Sequence, residues 1–256
     1  MADIKQNKDM WDRDWPDAGQ GWSVAWGGVD SQWFGTILRR IQAFIPANTI
    51  LEIAPGFGRW TDYLKDHSDN LIVVDVAEKC IQACKKRFQS VPHITCHVND
   101  GKSLDMIPDR SIDFAFSFDS LVHADADVIE AYLKQLANKL TRDGVGFIHH
   151  SNIGVYLDGS MGLQASGFTN LHWRAENMTA HLFEGHCTGT GLQCIAQEIV
   201  NWGGDILNDC FSLFTRKGSV WSRPNKIITN ANFMDEVRYF SMMSQLYSAS
   251  SFNNRQ

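Results

Sequence analysis

The hydrophobic positions fall into short blocks that alternate between two kinds of spacing. "NTILEIA" (48–54) and "NLIVVDV" (70–76) are nearly unbroken apolar runs of strand length, which predicts strands buried on both faces. "RWTDYLKDH" (59–67) and "AEKCIQACKKRF" (77–88) repeat their apolar residues at helical intervals. "HITCHV" (93–98) and "SIDFAFSFDS" (111–120) predict a third and a fourth strand. "DADVIEAYLKQLANKL" (125–140) predicts a helix that stops at "TRDG", and "VGFIHH" (145–150) a fifth strand. Strand and helix alternate throughout, the signature of a parallel sheet covered on both sides. Near the end, "QCIAQEIVNW" and "LNDCFSLFTR" are extended runs separated by Gly203, Gly204 and Asp205, a hairpin signal. The expected fold is α/β: a doubly wound, mostly parallel seven-stranded sheet with a C-terminal antiparallel hairpin and helices on both faces. Residues 48–256 are expected to form this domain, with an insertion at about 151–177. Residues 1–47 are expected to form an aromatic-rich cap with a helix at about 32–45.

Composition narrows the class. With 256 residues, 44% hydrophobic and 20% charged, the chain suits one soluble domain with appendages. A net charge of −6 argues against a general nucleic-acid binder, which needs Lys and Arg against phosphates. No run of about 18 apolar residues predicts a membrane span, and the start lacks the apolar segment of a signal peptide. Six cysteines without a CxxC pair fit reduced thiols, so a cytoplasmic protein is expected. Cys80 and Cys84, one helical turn apart, read as packing.

The stretch "LEIAPGFGRW" (51–60) carries the first chemistry. A strand ends on Glu52 and breaks into Ala54, Gly56 and Gly58, and ligands of doubly wound sheets sit at such strand ends. Thr61 stands where the third glycine of a dinucleotide fingerprint belongs, and there is no phosphate-binding P-loop. An acid beside the loop repels a diphosphate and favours a cationic ligand. Asp75, ending the second strand, suits the hydroxyls of a ribose. Asp100, in "VNDG" after the third strand, suits an adenine amino group, although Asn-Asp-Gly is also ordinary turn chemistry. A cationic amino acid, a ribose and an adenine together describe S-adenosylmethionine.

"LEIAPGFGRWTDYL", "VVDVAEKCIQAC", "VNDG" and "IDFAFSFDSLVHADAD" resemble, in order, the motifs of the class I, Rossmann-like methyltransferases that use this cofactor and release S-adenosylhomocysteine. The resemblance covers about residues 48–150. It implies that Glu52, Ala54, Gly56 and Gly58 lie under the methionine part, and that Asp75 binds the ribose with Val76 against the adenine. Asn99, Asp100 and Gly101 would border the adenine, and Phe118, Asp119 and Ser120 would line the floor near the sulfonium. The wider pattern, from "WSVAWGG" through "HWRAENMTA" to "DCFSLFTRKGS", resembles methyltransferases of bacterial surface polysaccharides and sugars, which implies a sugar or glycan acceptor.

Residues outside these motifs bear on the acceptor. Five of the nine tryptophans precede residue 48. Trp22 and Trp26, in a glycine-flanked loop, are lid candidates over the cofactor, whereas Trp33 reads as packing. The insertion carries His172, Trp173 and Arg174, which suit the apolar face and hydroxyl rim of a sugar, with Arg174 available to an acidic group. Long loops of this kind are usually functional. For a hydroxyl acceptor, a base must take the proton, and histidine is the usual one near neutrality. His123, His149 and His150 sit at strand ends. Neighbouring strand residues face opposite ways, so only one of His149 and His150 is expected to face the acceptor. Asp119, Asp125 and Asp127 are the available metal ligands, but Asp125 and Asp127 also suit a helix start, so no catalytic metal is expected. A methyltransferase acting on a small natural product or an amine, and a non-catalytic cofactor-binding protein, remain as alternatives.

Overall fold

The computed structural model describes residues 3–157 and 172–248. Eight strands form one sheet in the order β3-β2-β1-β4-β5-β7-β6-β8, with β1 at Ala47–Ile53, β2 at Ser68–Asp75, β3 at Ile94–Val98 and β4 at Ile112–Ser117. The remaining strands are β5 (Leu140–Ser151), β6 (Leu192–Val200), β7 (Asp209–Arg216) and β8 (Lys226–Asn230). β7 runs antiparallel to both β5 and β6, and the other pairings are parallel. Chain order reverses at β1, flanked by β2 on one side and β4 on the other, so the ends of these three strands frame the crevice where a ligand sits.

The central strands are apolar runs because both of their faces are covered. Five consecutive residues of β1 are buried. One face packs Trp33, Ile37 and Ile41 against Ile50, Phe114 and Phe147. The other packs Ile129, Leu133, Leu136 and Phe183 against Leu51, Ala115 and Ile148. The helices are α1 (Ile4–Trp11), α2 (Val29–Gln32), α3 (Leu38–Ile41), α4 (Thr61–Leu64), α5 (Glu78–Arg87), α6 (Ala126–Lys139), α7 (Ala180–Thr190) and α8 (Phe233–Leu246). A π-helical turn, Trp33–Ile37, joins α2 to α3, so the helix expected at about 32–45 lies at 29–41.

The strand count is a correction: the sheet has eight strands, not seven. β8 adds in parallel to β6 at the edge, Ala196 opposite Lys226 through Val200 opposite Asn230. Four of its five residues are exposed, so its sequence lacks the apolar run that marks a central strand. The helix expected at 59–67 is one α-helical turn, α4, followed by a 3-10 turn at Lys65–His67. The hairpin takes the expected form, β6 and β7 pairing from Leu192 opposite Arg216 to Val200 opposite Asp209. Among the described residues, no helix is long and apolar enough to cross a membrane.

Candidate active site

A cavity of about 540 Å³ lies at the carboxyl ends of β1, β2 and β4. The chain breaks there because each strand turns sharply. Ala54 and Asp119 adopt positive φ (59° each), an uncommon conformation for residues with a side chain. Gly56 has φ 57°, and a Cβ on it would lie 2.7 Å from the Trp15 ring, so only glycine admits the cap this closely. Gly58 serves packing: its missing Cβ would lie 2.5 Å from Phe88.

The segment preceding residue 27 roofs the cavity. Trp15 stacks on Phe57 with ring centroids 4.6 Å apart, and Trp11, Trp15 and Trp22 meet edge to face. Polar ties hold this roof to the sheet domain. Asn7 donates to the His123 carbonyl (3.0 Å), and Asp12 accepts from the Lys79 amide (2.8 Å). Trp22 is 45% exposed at the rim, while Trp26 is buried and donates to the Thr36 hydroxyl at 3.0 Å.

Among the residues expected to bind cofactor, Trp22, Trp26, Ala54, Gly56, Asp75 and Val76 line the cavity, as do Gly101, Phe118, Asp119 and Ser120. Glu52, Gly58, Asn99 and Asp100 do not. Glu52 lies beneath the loop, accepting from the Thr61 hydroxyl at 2.5 Å, and burial pushes its carboxyl up to about 8. Asn99 donates to the Ser103 carbonyl and to the Tyr132 hydroxyl. Asp100 accepts from the amides of Lys102 and Ser103, which hold its carboxyl below the ordinary value. Asp75 is buried, and that burial raises it to about 6, although the amides of Ala77 (2.9 Å) and Gly56 (3.2 Å) donate to it.

The three strand-end histidines part company. His150 lies on the far side of the sheet, stacked on Phe183 with centroids 4.4 Å apart, and burial lowers it to about 4. Its Nδ1 donates to the Ser151 carbonyl, which leaves Nε2 to accept from the Ser212 hydroxyl. His149 faces the cavity side but is wholly buried behind Phe118 and Trp202. The Asp119 amide donates to its Nδ1 (3.1 Å), so its proton sits on Nε2 and is given to Asp209 at 2.9 Å. Both nitrogens are spent. His123 lines the cavity, half-buried. Its Nδ1 gives its proton to the Trp173 carbonyl at 2.9 Å, which turns the Nε2 lone pair to the other side of the ring. Burial holds His123 below its ordinary value, so the imidazole is neutral at pH 7.

His172, Trp173 and Arg174 also line the cavity. The rest of the insertion, residues 158–171, lies outside the described residues. Arg174 is buried and grips Asp209 with two N–H donors, at 3.0 and 2.7 Å. Burial alone would raise Asp209, but the Arg174 charge and the His149 bond outweigh it and hold the carboxyl well below the usual carboxylate range. Asp119 pairs with Arg59 (2.8 Å) and Asp127 with Lys102, and among the described residues no three acids, histidines or cysteines converge as a metal site. Sequence reasoning missed Arg59, Trp60 and Trp202 on the cavity wall. Arg59 carried a signal, as the one basic residue in an otherwise apolar and glycine-rich loop.

Residues 50–144 match the family model described as a methyltransferase domain. These residues form a methyltransferase domain. Its cofactor is S-adenosylmethionine. The cavity fits that group, with an acid buried at the end of β2, a glycine-floored crevice at β1 and the indole Nε1 of Trp15 and of Trp60 without a hydrogen-bond partner among the described residues. A ribosomal RNA small subunit methyltransferase A of Coxiella burnetii is 34% identical over 58 residues, 23% of this chain. The chain spans only 22% of that relative's length. The geranyl diphosphate C-methyltransferase of Streptomyces coelicolor A3(2), solved with Mg2+, geranyl diphosphate and S-adenosylhomocysteine, shares the methyltransferase domain's fold at TM-score 0.53 and 10% identity. That superposition covers 67% of this chain and 73% of that one. The PH0226 protein of Pyrococcus horikoshii OT3 superposes at TM-score 0.53 and 15% identity, covering 74% and 93% of the two chains.

Proposed function

We propose that the whole protein methylates a hydroxyl of a sugar, in a glycan of the bacterial surface-polysaccharide type, with His123 as the base. The observation that carries this reading is the disposition of His123. It is the one strand-end histidine on the cavity wall, and its Nδ1 proton is committed to Trp173. A neutral imidazole with a fixed tautomer is the form able to accept a proton from a hydroxyl. Trp22, Trp26, Trp173 and Trp202 give the same cavity flat apolar walls, and His172 supplies a polar edge. That mixture suits a sugar, which has an apolar face and a hydroxyl rim.

The cofactor supplies an electrophilic methyl group. The chain's own contribution begins with Asp75, proposed to accept both ribose hydroxyls, and the glycine loop, which lets the backbone approach the ligand. The roof of Trp11, Trp15 and Trp22 excludes water, so that acceptor and methyl group meet in a dry, oriented site. His123 Nε2 takes the proton of the acceptor hydroxyl and later releases it to solvent.

Two consequences are measurable. Because Asp75 titrates near 6, its ionised, accepting form dominates only above that pH. S-adenosylhomocysteine is therefore expected to bind roughly tenfold more weakly at pH 5 than at pH 7. Asp75→Asn should bind weakly at both values; calorimetry across the range reads both effects. A pH-independent affinity in the wild type would remove Asp75 from the ribose. Turnover on a sugar acceptor is expected to be unchanged in excess EDTA, since the proton goes to His123. Activity lost in chelator and restored by magnesium would overturn the metal-free mechanism.

A further inference from the structure

Helix α8 carries two apolar faces, and the rest of the domain occupies one of them. On the inner face, Phe233 and Val237 are buried, and Phe240 abuts Gly35, where a Cβ would lie 3.0 Å from its ring. Further along, the Ser244 hydroxyl donates to the Gly27 carbonyl at 3.0 Å, just past the roof segment Gln20–Trp26. The outer face repeats apolar residues at helical intervals: Tyr239, Met242, Met243 and Leu246, spaced i, i+3, i+4 and i+7. They are 59%, 67%, 36% and 62% exposed, and Tyr247 at the helix end is 73% exposed. With a fully exposed side chain of this size taken at about 200 Å2, the five leave about 600 Å2 of largely apolar face open to water. That is the top of the range a monomer commonly leaves in one patch. Two such faces together would remove about 1,200 Å2 from water, the area at which specific protein pairs begin.

We propose that the outer face of α8 is the contact for a second copy of this chain, the two helices packing antiparallel across a two-fold axis. The stripe is its own complement. Its midpoint falls between Met242 and Met243, so a perpendicular two-fold axis there sets methionine against methionine. Tyr239 of each copy then meets Leu246 of the other. One patch used by both copies is the isologous contact of a closed dimer, and unbranched methionines at its centre adapt to irregular gaps. The charges of the helix stand away from that centre. Asp235, Glu236 and Arg238 all lie in its first two turns, and Arg238 pairs with Asp235 at 2.5 Å. An apolar centre with charges at the rim is the common anatomy of a protein interface. A lipid surface is a poorer occupant. Helices that lie on membranes carry Lys and Arg along their polar face, whereas α8 sets Arg238 against Asp235 and Glu236.

Sedimentation velocity of the full chain, from about 1 to 100 μM, tests the pair. The wild type is expected at twice the mass of one chain at the upper end, dissociating on dilution. Met242→Glu brings like charges together at the axis and should weaken the dimer by about 100-fold or more. Met242→Lys should do the same. Both should keep the wild-type circular dichroism, because the side chain is exposed. An equimolar mixture of the two variants should restore the dimer, since each carboxylate then meets an ammonium across the axis. If either variant fails to fold, Met243→Glu and Met243→Lys carry the same comparison. A wild type that stays monomeric throughout would overturn the proposal. So would a dimer that both Met242 variants leave intact, which would place the contact on another face. Binding of the monomeric wild type to phosphatidylglycerol vesicles, lost in Met242→Glu, would give this face to lipid instead and overturn it too.

Discussion

Replacing His123 by Ala is expected to lower turnover by about 10²–10⁴-fold while leaving the affinity for S-adenosylhomocysteine nearly unchanged. The split follows from geometry. His123 touches the roof through Trp11, at 5.4 Å between rings, and the insertion through Trp173, whereas the proposed ribose acceptor, Asp75, lies at the end of β2. The acid limb of kcat/KM should lie below the ordinary histidine value of 6.5, because burial lowers His123 and the neutral form persists to lower pH. His149→Ala and His150→Ala should not reproduce a pure rate loss, since both rings are committed to structural hydrogen bonds. Parallel loss of rate and cofactor affinity in His123→Ala would make it a packing residue. A near-wild-type rate would leave orientation alone, with the proton lost to water.

The largest effect on stability is expected at Arg174 and Asp209. Removing one partner of a buried pair strands the other charge, so Arg174→Ala should cost about 3–5 kcal/mol, roughly 10 °C in Tm for a chain of this size. The sign with pH follows from Asp209, whose carboxyl is depressed in the folded state. Its stabilisation is fully present above the unfolded value near 3.8 and is lost as pH falls below it. Wild type and variant should therefore converge in acid. Replacing both partners together, Arg174→Met with Asp209→Leu, should cost less than the two single changes summed. Thermal melts at several pH values measure all of this, and a constant gap down to pH 3 would show that the pair is not the source.

The pair also explains why part of the site was hidden in the sequence. Strands β1, β2, β4 and β5 and the β6–β7 hairpin were legible because burial writes an apolar run, and edge strand β3, which has no buried residue, because "HITCHV" continues the alternation of strand and helix. Edge strand β8 was not, because "KIITN" is exposed and owes its place to pairing with β6. Helix α8 buries only Phe233 and Val237, so its outward Tyr239, Met242 and Leu246 blur the helical stripe. In the site, the loop acids and glycines announce themselves locally. The fates of His149, His150 and Arg174 depend on Asp209 and Ser212, distant in sequence and joined to them only by the β5–β7 pairing. The adjacent-residue rule placed His149 and His150 on opposite faces. It had no means of showing that both would be sealed from the cavity.

The most direct measurement is transfer of a trideuterated methyl group from labelled S-adenosylmethionine, followed by mass spectrometry of a mixed acceptor panel. The panel holds oligosaccharides, nucleotide sugars, isoprenoid diphosphates, small amines and a short RNA. The label is expected on a sugar oxygen, retained as a methoxy group on fragmentation, at a rate that falls in His123→Ala. Label on a carbon, on an amine or on RNA, or none on any acceptor despite tight cofactor binding, would contradict that expectation.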